Sequence, residues 1–348
     1  MSGRRSIAAA LAAALLFGCS TPFAKRLVGD VHPVLLAGLL YLGSGVGLWS
    51  VRLLRDRGFA ATGMAASDWW WLGGAIALGG VLGPLLLMIG LTRTSAASAS
   101  LLLNLEAVLT ALLAWIVFRE GADRRIVLGM SLIVAGGVVL ALPRNGMAGG
   151  SLRGSAAVAG ACLCWALDNN LTRKVAASDA LFIAAAKGLV AGSVNLLVAL
   201  MLGARLPVPV RLAEAMTVGL LGYGLSLVLF VQALRGLGSA RTGAYFSTAP
   251  FLGALLAVTA FHETASPELW VAAALMAAGV WLHLTERHEH PHTHEPMLHT
   301  HAHVHDEHHR HRHEFPWDGR EPHVHPHRHA VLTHSHPHYP DLHHRHRH

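Results

Sequence analysis

Residues Ala97–Glu120 read ASASLLLNLEAVLTALLAWIVFRE, and residues Ala240–Glu263 read ARTGAYFSTAPFLGALLAVTAFHE. A constant shift of 143 (97 to 240, 120 to 263) aligns them without a gap. Ala97, Leu109, Ala111, Leu112, Leu113, Ala114, Phe118 and Glu120 then match Ala240, Leu252, Ala254, Leu255, Leu256, Ala257, Phe261 and Glu263. Each copy is an apolar run that ends at a charged corner and is followed by another apolar run. A repeated unit of several apolar helices is the pattern of transporters built from two structural repeats.

Composition agrees. The 348-residue chain is 53% hydrophobic and 14% charged, whereas a soluble domain carries about 25% charged residues. Apolar runs fall at about 6–24, 33–53, 69–91, 95–118 and 125–142, then at 155–173, 179–202, 213–234, 239–261 and 268–285. Most approach the roughly 20 residues that cross the hydrocarbon layer. Backbone amides find no water there, so each run should be helical. The expected fold is therefore an all-α integral membrane protein of ten transmembrane helices in two inverted five-helix repeats, with a disordered His-rich C-terminal tail. The expected divisions are 1–145 and 146–286 for the repeats and 287–348 for the tail, the Gly-rich stretch Pro143–Ser151 separating the halves. Arg4 and Arg5 before an apolar core imitate a signal peptide, but cleavage would remove one helix from a repeat, so Met1–Ser20 is read as an uncleaved first helix.

The formal charge of +7 is spread over short gaps between apolar runs and reads as a topology signal rather than a nucleic-acid surface. With the N-terminus in the cytoplasm, thirteen basic residues flank the inner face and seven the outer face. This bias predicts a multi-pass protein of the cytoplasmic (inner) membrane with both termini on the cytoplasmic side. Five helices per repeat is odd, so the second repeat must enter the bilayer upside down relative to the first. Cys19, Cys162 and Cys164 all fall inside apolar runs and read as buried thiols rather than a disulfide framework. Gly43-x-x-x-Gly47 and Gly79-Gly80 permit close helix approach.

Ionisable groups at bilayer depth are costly and face a cavity or a partner. Glu106, with Asn104 nearby, lies in the fourth run; Asp168-Asn169-Asn170 lies in the sixth; Lys187 lies in the seventh. These six are the candidate cavity or coupling residues. Asp168 and Lys187 also fit a plain ion pair, and Glu106 a plain interhelical hydrogen bond. Ser20, Thr21, Asn195, Tyr223, Ser226, Gln232, Tyr245, Ser247 and Thr248 read first as glue between helices. Pro22 and Pro250 free backbone carbonyls inside helices. Glu120 and Glu263 end the two repeated runs at opposite faces.

Beyond Glu286 the character changes: 23 of the 26 histidines lie in His288–His348. His288, His290, His292, His294, His299, His301, His303, His305, His323, His325, His327 and His329 alternate with other residues. Such a segment has no core to bury, while neutral imidazole binds Zn, Ni, Co or Cu. Sensing, buffering and cargo delivery all fit this composition, and no cofactor is required by the apolar part.

The stretch Ser95–Glu120, its partner Thr242–Glu263, and Phe17–Lys25 (FGCSTPFAK) resemble the EamA-type branch of the drug/metabolite transporter superfamily over about residues 6–285. The resemblance implies ten helices in two inverted repeats around a central cavity, and export of metabolites, amino acids or toxic compounds. The first copy has Glu106-Ala107 where the family has Glu-Pro, and the second keeps Pro250. The functional expectation is a secondary exporter of a small metabolite across the bilayer by alternating access, with proton coupling as an option. A divalent-metal efflux protein using the tail, or a membrane-anchored metal buffer or sensor, are the alternatives. No nucleotide loop or nucleophile elbow points to an enzyme.

Overall fold

The computed structural model describes residues 3–58, 62, 64, 66–118, 124–142, 151–175 and 179–285, and in the tail 291–294, 298–303, 323–328 and 332–335. Residues 1–285 form one compact unit, and the tail is a second one. Helix α1 is Gly3–Leu27, and α2 is Pro33–Asp56 with Pro33 in its first turn, where a missing N–H is harmless. Helix α3 (Asp68–Ala75) continues through a π-helical segment, Ile76–Leu82, into α4 (Gly83–Arg93). Then come α5 (Ala96–Leu102), α6 (Leu105–Phe118) and α7 (Arg124–Ala141). The second half repeats the order: α8 (Leu152–Val175), α9 (Ala180–Met201), α10 (Pro209–Gly219), a π segment at Leu220–Leu225, α11 (Ser226–Phe246), α12 (Ala249–Thr259) and α13 (Pro267–Leu284).

Among the described residues, eight segments of 18 to 26 residues are long and apolar enough to cross a membrane. At 1.5 Å per residue, a 24-residue helix covers about 36 Å, enough for a hydrocarbon layer of about 30 Å. The other two expected spans are helices as well. Helix α8 carries Asp168, Asn169 and Asn170, which lower its hydropathy. The apolar stretch of α13, Pro267–Leu282, is shorter.

Two expected boundaries differ. The run 95–118 is not one helix but breaks at Leu103–Asn104. There the backbone tightens, Asn104 N–H donating to Leu101 O and Glu106 N–H to Leu103 O, and the Asn104 amide donates to Leu101 O at 2.9 Å. The second copy breaks at the equivalent place, where Ser247 and Thr248 hydroxyls donate to Ala244 O and Tyr245 O at 2.8 and 2.6 Å. Side chains that bond back to the preceding turn compete with the helix ladder, so the bend forms with or without proline. Conversely, the loop expected between 234 and 239 is absent: α11 passes through it, since RGLGSAR contains no proline to stop a helix.

The packing of the halves is reciprocal. Helix α1 packs on α11 and α12, while α8 packs on α4 and α6; α2 meets α9, and α7 meets α13. Exchanging the halves reproduces the set. The α2–α9 contact is a close backbone approach between them: a Cβ at Gly188 would lie 2.6 Å from Gly45 Cα, and one at Gly38 2.7 Å from Leu196 N. Gly43 and Gly47, by contrast, face Met216 and Leu220.

In the tail, β1 (Pro291–His294) pairs antiparallel with β4 (Leu332–Ser335), and β2 (Leu298–His303) with β3 (His323–Arg328). These twenty residues differ from the expectation of a tail without regular structure. The absence of a core outweighed, in that reading, a strict alternation of residue types that is itself a strand pattern. His288, His290, His305 and His329 lie outside the described residues, as do Glu120 and 143–150 of the expected link.

Gly188→Ala places its methyl against backbone that has no rotamer to yield. We expect a loss of about 1–3 kcal/mol, typical of overpacking, read as a lower unfolding temperature in detergent. Gly73→Ala, inside α3 with nothing within 4 Å, should not lower it, since alanine is the better helix former.

Candidate functional site

The polar residues of α8 fall on one stripe. Trp165, Asp168, Asn169 and Thr172 stand at i, i+3, i+4 and i+7, the spacing that shares a helix face. Asp168 is the hub: Lys187 Nζ donates to both of its carboxylate oxygens at 2.6 Å, and the Thr172 hydroxyl donates to Oδ1 at 2.8 Å. The two charged side chains are 8% and 17% exposed, so the pair is largely withdrawn from solvent but not sealed. At the next position along the helix, Asn169 Nδ2 donates to Glu106 Oε1 at 2.9 Å. Glu106 is half-buried in the first turn of α6, directly after the break at Leu103–Asn104. The break is what brings this carboxylate to α8.

The structure thus brings together Glu106, Asn169, Asp168 and Lys187, from α6, α8 and α9. It does not bring in the other two expected residues. Asn170 lies about 100° round the helix from Asn169 and donates to Ala166 O of its own helix at 2.8 Å. Asn104 is buried, bonds Leu101 O, and meets Met276 Sδ of α13 at 3.8 Å; it is helix glue.

The π segment Ile76–Leu82 forms the facing wall. Widening to i→i+5 bonds alters which carbonyls are satisfied within the helix, and side chains from three other helices reach them. Tyr41 OH and Trp165 Nε1 both donate to Gly79 O at 2.9 Å, and Asn195 Nδ2 approaches Gly80 O and Val81 O at 3.5 and 3.4 Å. Gly79 is obligatory, because a Cβ there would sit on the Asp168 carboxylate. From Tyr41 an aromatic row leads away: Tyr41–Tyr223 at 5.6 Å, Tyr223–Phe17 at 6.0 Å, Phe17–Phe246 at 5.3 Å and Phe246–Phe230 at 4.9 Å between centroids. Charged and aromatic groups therefore adjoin. Tyr41, Trp165 and Thr172 escaped the sequence reading; the helical spacing from Asp168 was the signal for the last two.

Both ends of the bundle carry locks. At one, Glu263 accepts from the N–H groups of Ala96 and Ala97 at 2.9 Å each, capping α5 from the other half, while Lys25 donates to Leu91 O in the last turn of α4. These contacts match the dipole at each helix end. At the other, Arg52 and Arg55 converge on Asp179, the N-cap of α9, at 3.2 and 2.6 Å. Burial pushes the Asp179 carboxyl up, but its bonds from Arg55 and Arg52 outweigh that and hold it below the usual carboxylate range.

A bundle of membrane-crossing helices with a small polar cluster between them defines a multi-pass membrane protein. The chain belongs to the EamA-like transporter family, whose model matches it twice, over residues 4–142 and 152–285, and through it to the drug/metabolite transporter superfamily. A relative from Methanothermobacter thermautotrophicus described as an uncharacterized transporter is 28% identical over 291 residues, covering 78% of this chain and 84% of its own. A probable 4-amino-4-deoxy-L-arabinose-phosphoundecaprenol flippase subunit, ArnE, of Pseudomonas aeruginosa (strain UCBPP-PA14) is 42% identical over 110 residues, which is 31% of this chain and 93% of the subunit. One solved crystal structure superposes with a TM-score of 0.60 at 22% identity, over 80% of this chain and 96% of that one; this likeness speaks to the fold alone. Family and relatives are transporters, not enzymes, and they imply a small-molecule substrate and a lipid bilayer around the chain.

Lys187→Met leaves Asp168 charged and unpaired against Gly79. Removing one partner of a buried pair costs about 3–5 kcal/mol. The single variant should therefore unfold far earlier in detergent than the double variant Lys187→Met/Asp168→Leu, which removes both charges.

Proposed function

We propose that the protein is a secondary exporter that moves a small polar or amphiphilic metabolite across the cytoplasmic membrane by alternating access of a central cavity. The observation that carries this reading is the Glu106–Asn169 and Asp168–Lys187 cluster, set where helices of both halves meet the π segment. Asp168 and Lys187 cancel each other and offer a fixed negative and a fixed positive edge to a polar substrate. Glu106 is held by a neutral amide, so it adds a charge that the Asp168–Lys187 pair does not balance. A proton on Glu106 removes that charge, which makes Glu106 the coupling residue in this reading. Reciprocal packing of the halves supports ten spans in two inverted five-helix repeats, rocking about the cluster while the Glu263 and Asp179 locks open in turn. The thirteen-to-seven distribution of basic residues supports both termini in the cytoplasm.

One observation favours a lipid-linked substrate as a second reading. An open, mainly apolar groove of about 430 Å³ lies between α6, the helix that carries Glu106, and α7, lined by Val108, Leu112, Val127, Met130, Ser131 and Val134. It would take a hydrocarbon tail while the polar head sits in the cluster, and the flippase subunit among the relatives acts on a molecule of that form.

Extracellular metabolites of overexpressing and deletion strains, compared without preselection, identify the cargo. Proteoliposomes with an imposed proton gradient then test the mechanism. We expect Glu106→Gln to reduce gradient-driven accumulation by about tenfold, equivalent to 1.4 kcal/mol, while exchange of cargo across the membrane continues. Identical pH dependence in wild type and variant removes the coupling role. A cargo found only in the lipid extract selects the second reading.

A further inference from the structure

Hydroxyls within these helices commonly turn back on their own backbone. Ser50, Ser131 and Thr259 donate to Val46 O, Val127 O and Leu255 O, four residues earlier, at 2.8, 2.8 and 2.7 Å. That is the local way to satisfy such a group where water is absent. Among the described residues, five buried hydroxyls have no hydrogen-bond partner: those of Ser6, Thr94, Ser100, Thr110 and Ser155. Thr94 and Ser100 lie at close helix contacts, against Gly154 and Gly253. Thr110 is the one of the five that belongs beside the polar cluster. It follows Glu106 by four residues in α6, so the two share a helix face. The groove toward α7 is on the other side, since Leu112, which lines it, is about 200° round the helix from Thr110.

The other half treats the matching place differently. At the shift of 143, Thr110 corresponds to Gly253. A Cβ on Gly253 would lie 2.6 Å from Gly18 O and 2.8 Å from Ser100 Oγ, so helix contact fills the place there. In the first half the same place bears a hydroxyl that nothing in the protein answers. Leaving a buried hydroxyl unmet is unfavourable, and valine would have nearly the same shape without it. We propose that Thr110 is a cargo-contact residue whose hydroxyl bonds the polar head of the exported molecule beside the Glu106 carboxylate. An ionised carboxylate only accepts, whereas a hydroxyl both donates and accepts. The pair therefore selects a head group that does both as well, namely a hydroxyl-bearing one. This deepens the exporter reading and rests on it.

The test has one arm that needs no cargo and one that does. In full-length chain with Cys19, Cys162 and Cys164 replaced by alanine, Thr110→Cys and Leu112→Cys are each exposed in proteoliposomes to a water-soluble cationic methanethiosulfonate. We expect modification at position 110 and none at 112. No modification at 110, or equal modification at both, overturns the proposal. In the second arm, Thr110→Val should raise KM about tenfold for the cargo that the metabolite comparison identifies, the effect of one lost hydrogen bond. Its kcat and its unfolding temperature should not fall, and Thr110→Ser should restore KM. An unchanged KM in Thr110→Val, or an equal rise in Thr110→Ser, overturns the proposal and leaves the exporter reading standing. Wild-type proteoliposomes that move nothing overturn the exporter reading, and labelling then still decides whether position 110 opens to water.

Discussion

A backbone amide or carbonyl in hydrocarbon has no water to turn to, and each unmet group costs several kcal/mol. Everything irregular in this bundle is shaped by that constraint. Where the helix widens at Ile76–Leu82, Tyr41, Trp165 and Asn195 reach the carbonyls of Gly79, Gly80 and Val81. Where it breaks between α4 and α5, Glu263 takes the amides and Lys25 a carbonyl. Where it breaks within the repeated stretch, Asn104, Ser247 and Thr248 bond back to the turn before. The polar side chains of the membrane unit are thus mostly answers to local backbone demands. A residue whose polar atoms answer none is the one to read for function.

That criterion separates the six candidate residues. Asn104 and Asn170 spend their amides on their own helices. Glu106, Asn169, Asp168 and Lys187 spend theirs on one another, across three helices. The Gly79 position ties the two kinds together, because its bare Cα admits the Asp168 carboxylate while its carbonyl holds Tyr41 and Trp165. Replacing that glycine would disturb the π segment and the ion pair at once.

The repeat, the helical character and the three ionisable groups were legible in the sequence because each leaves a local trace: an apolar run, a constant shift, a charge out of place. The break at Leu103–Asn104 was not, since its signal is a single asparagine that could as well have faced a cavity. The π segments at Ile76–Leu82 and Leu220–Leu225 add one residue per turn without altering apolar content, so hydropathy is blind to them. The partners Tyr41 and Trp165 come from helices remote in the chain, and only packing selects them. In the tail, alternation of histidine was visible, but which histidines oppose one another depends on pairing between strands some 25 residues apart and has no local trace.

The two halves share a backbone plan and divide the chemistry unequally. Asp168 stands against Gly79 in the first π segment as Ser20 stands against Gly222 in the second. Three residues earlier on each helix, Trp165 bonds the Gly79 carbonyl, whereas Phe17 lies edge-on to Tyr223. At the shift of 143, Glu106 corresponds to Ala249 and Lys187 to Ser44. Every charged member of the cluster is thus replaced, in the other half, by a small or neutral residue at a matching place. A site built twice would set two such charge clusters side by side at bilayer depth and require both to be desolvated. Building it once leaves one wall polar and the other aromatic between halves that otherwise share one backbone plan.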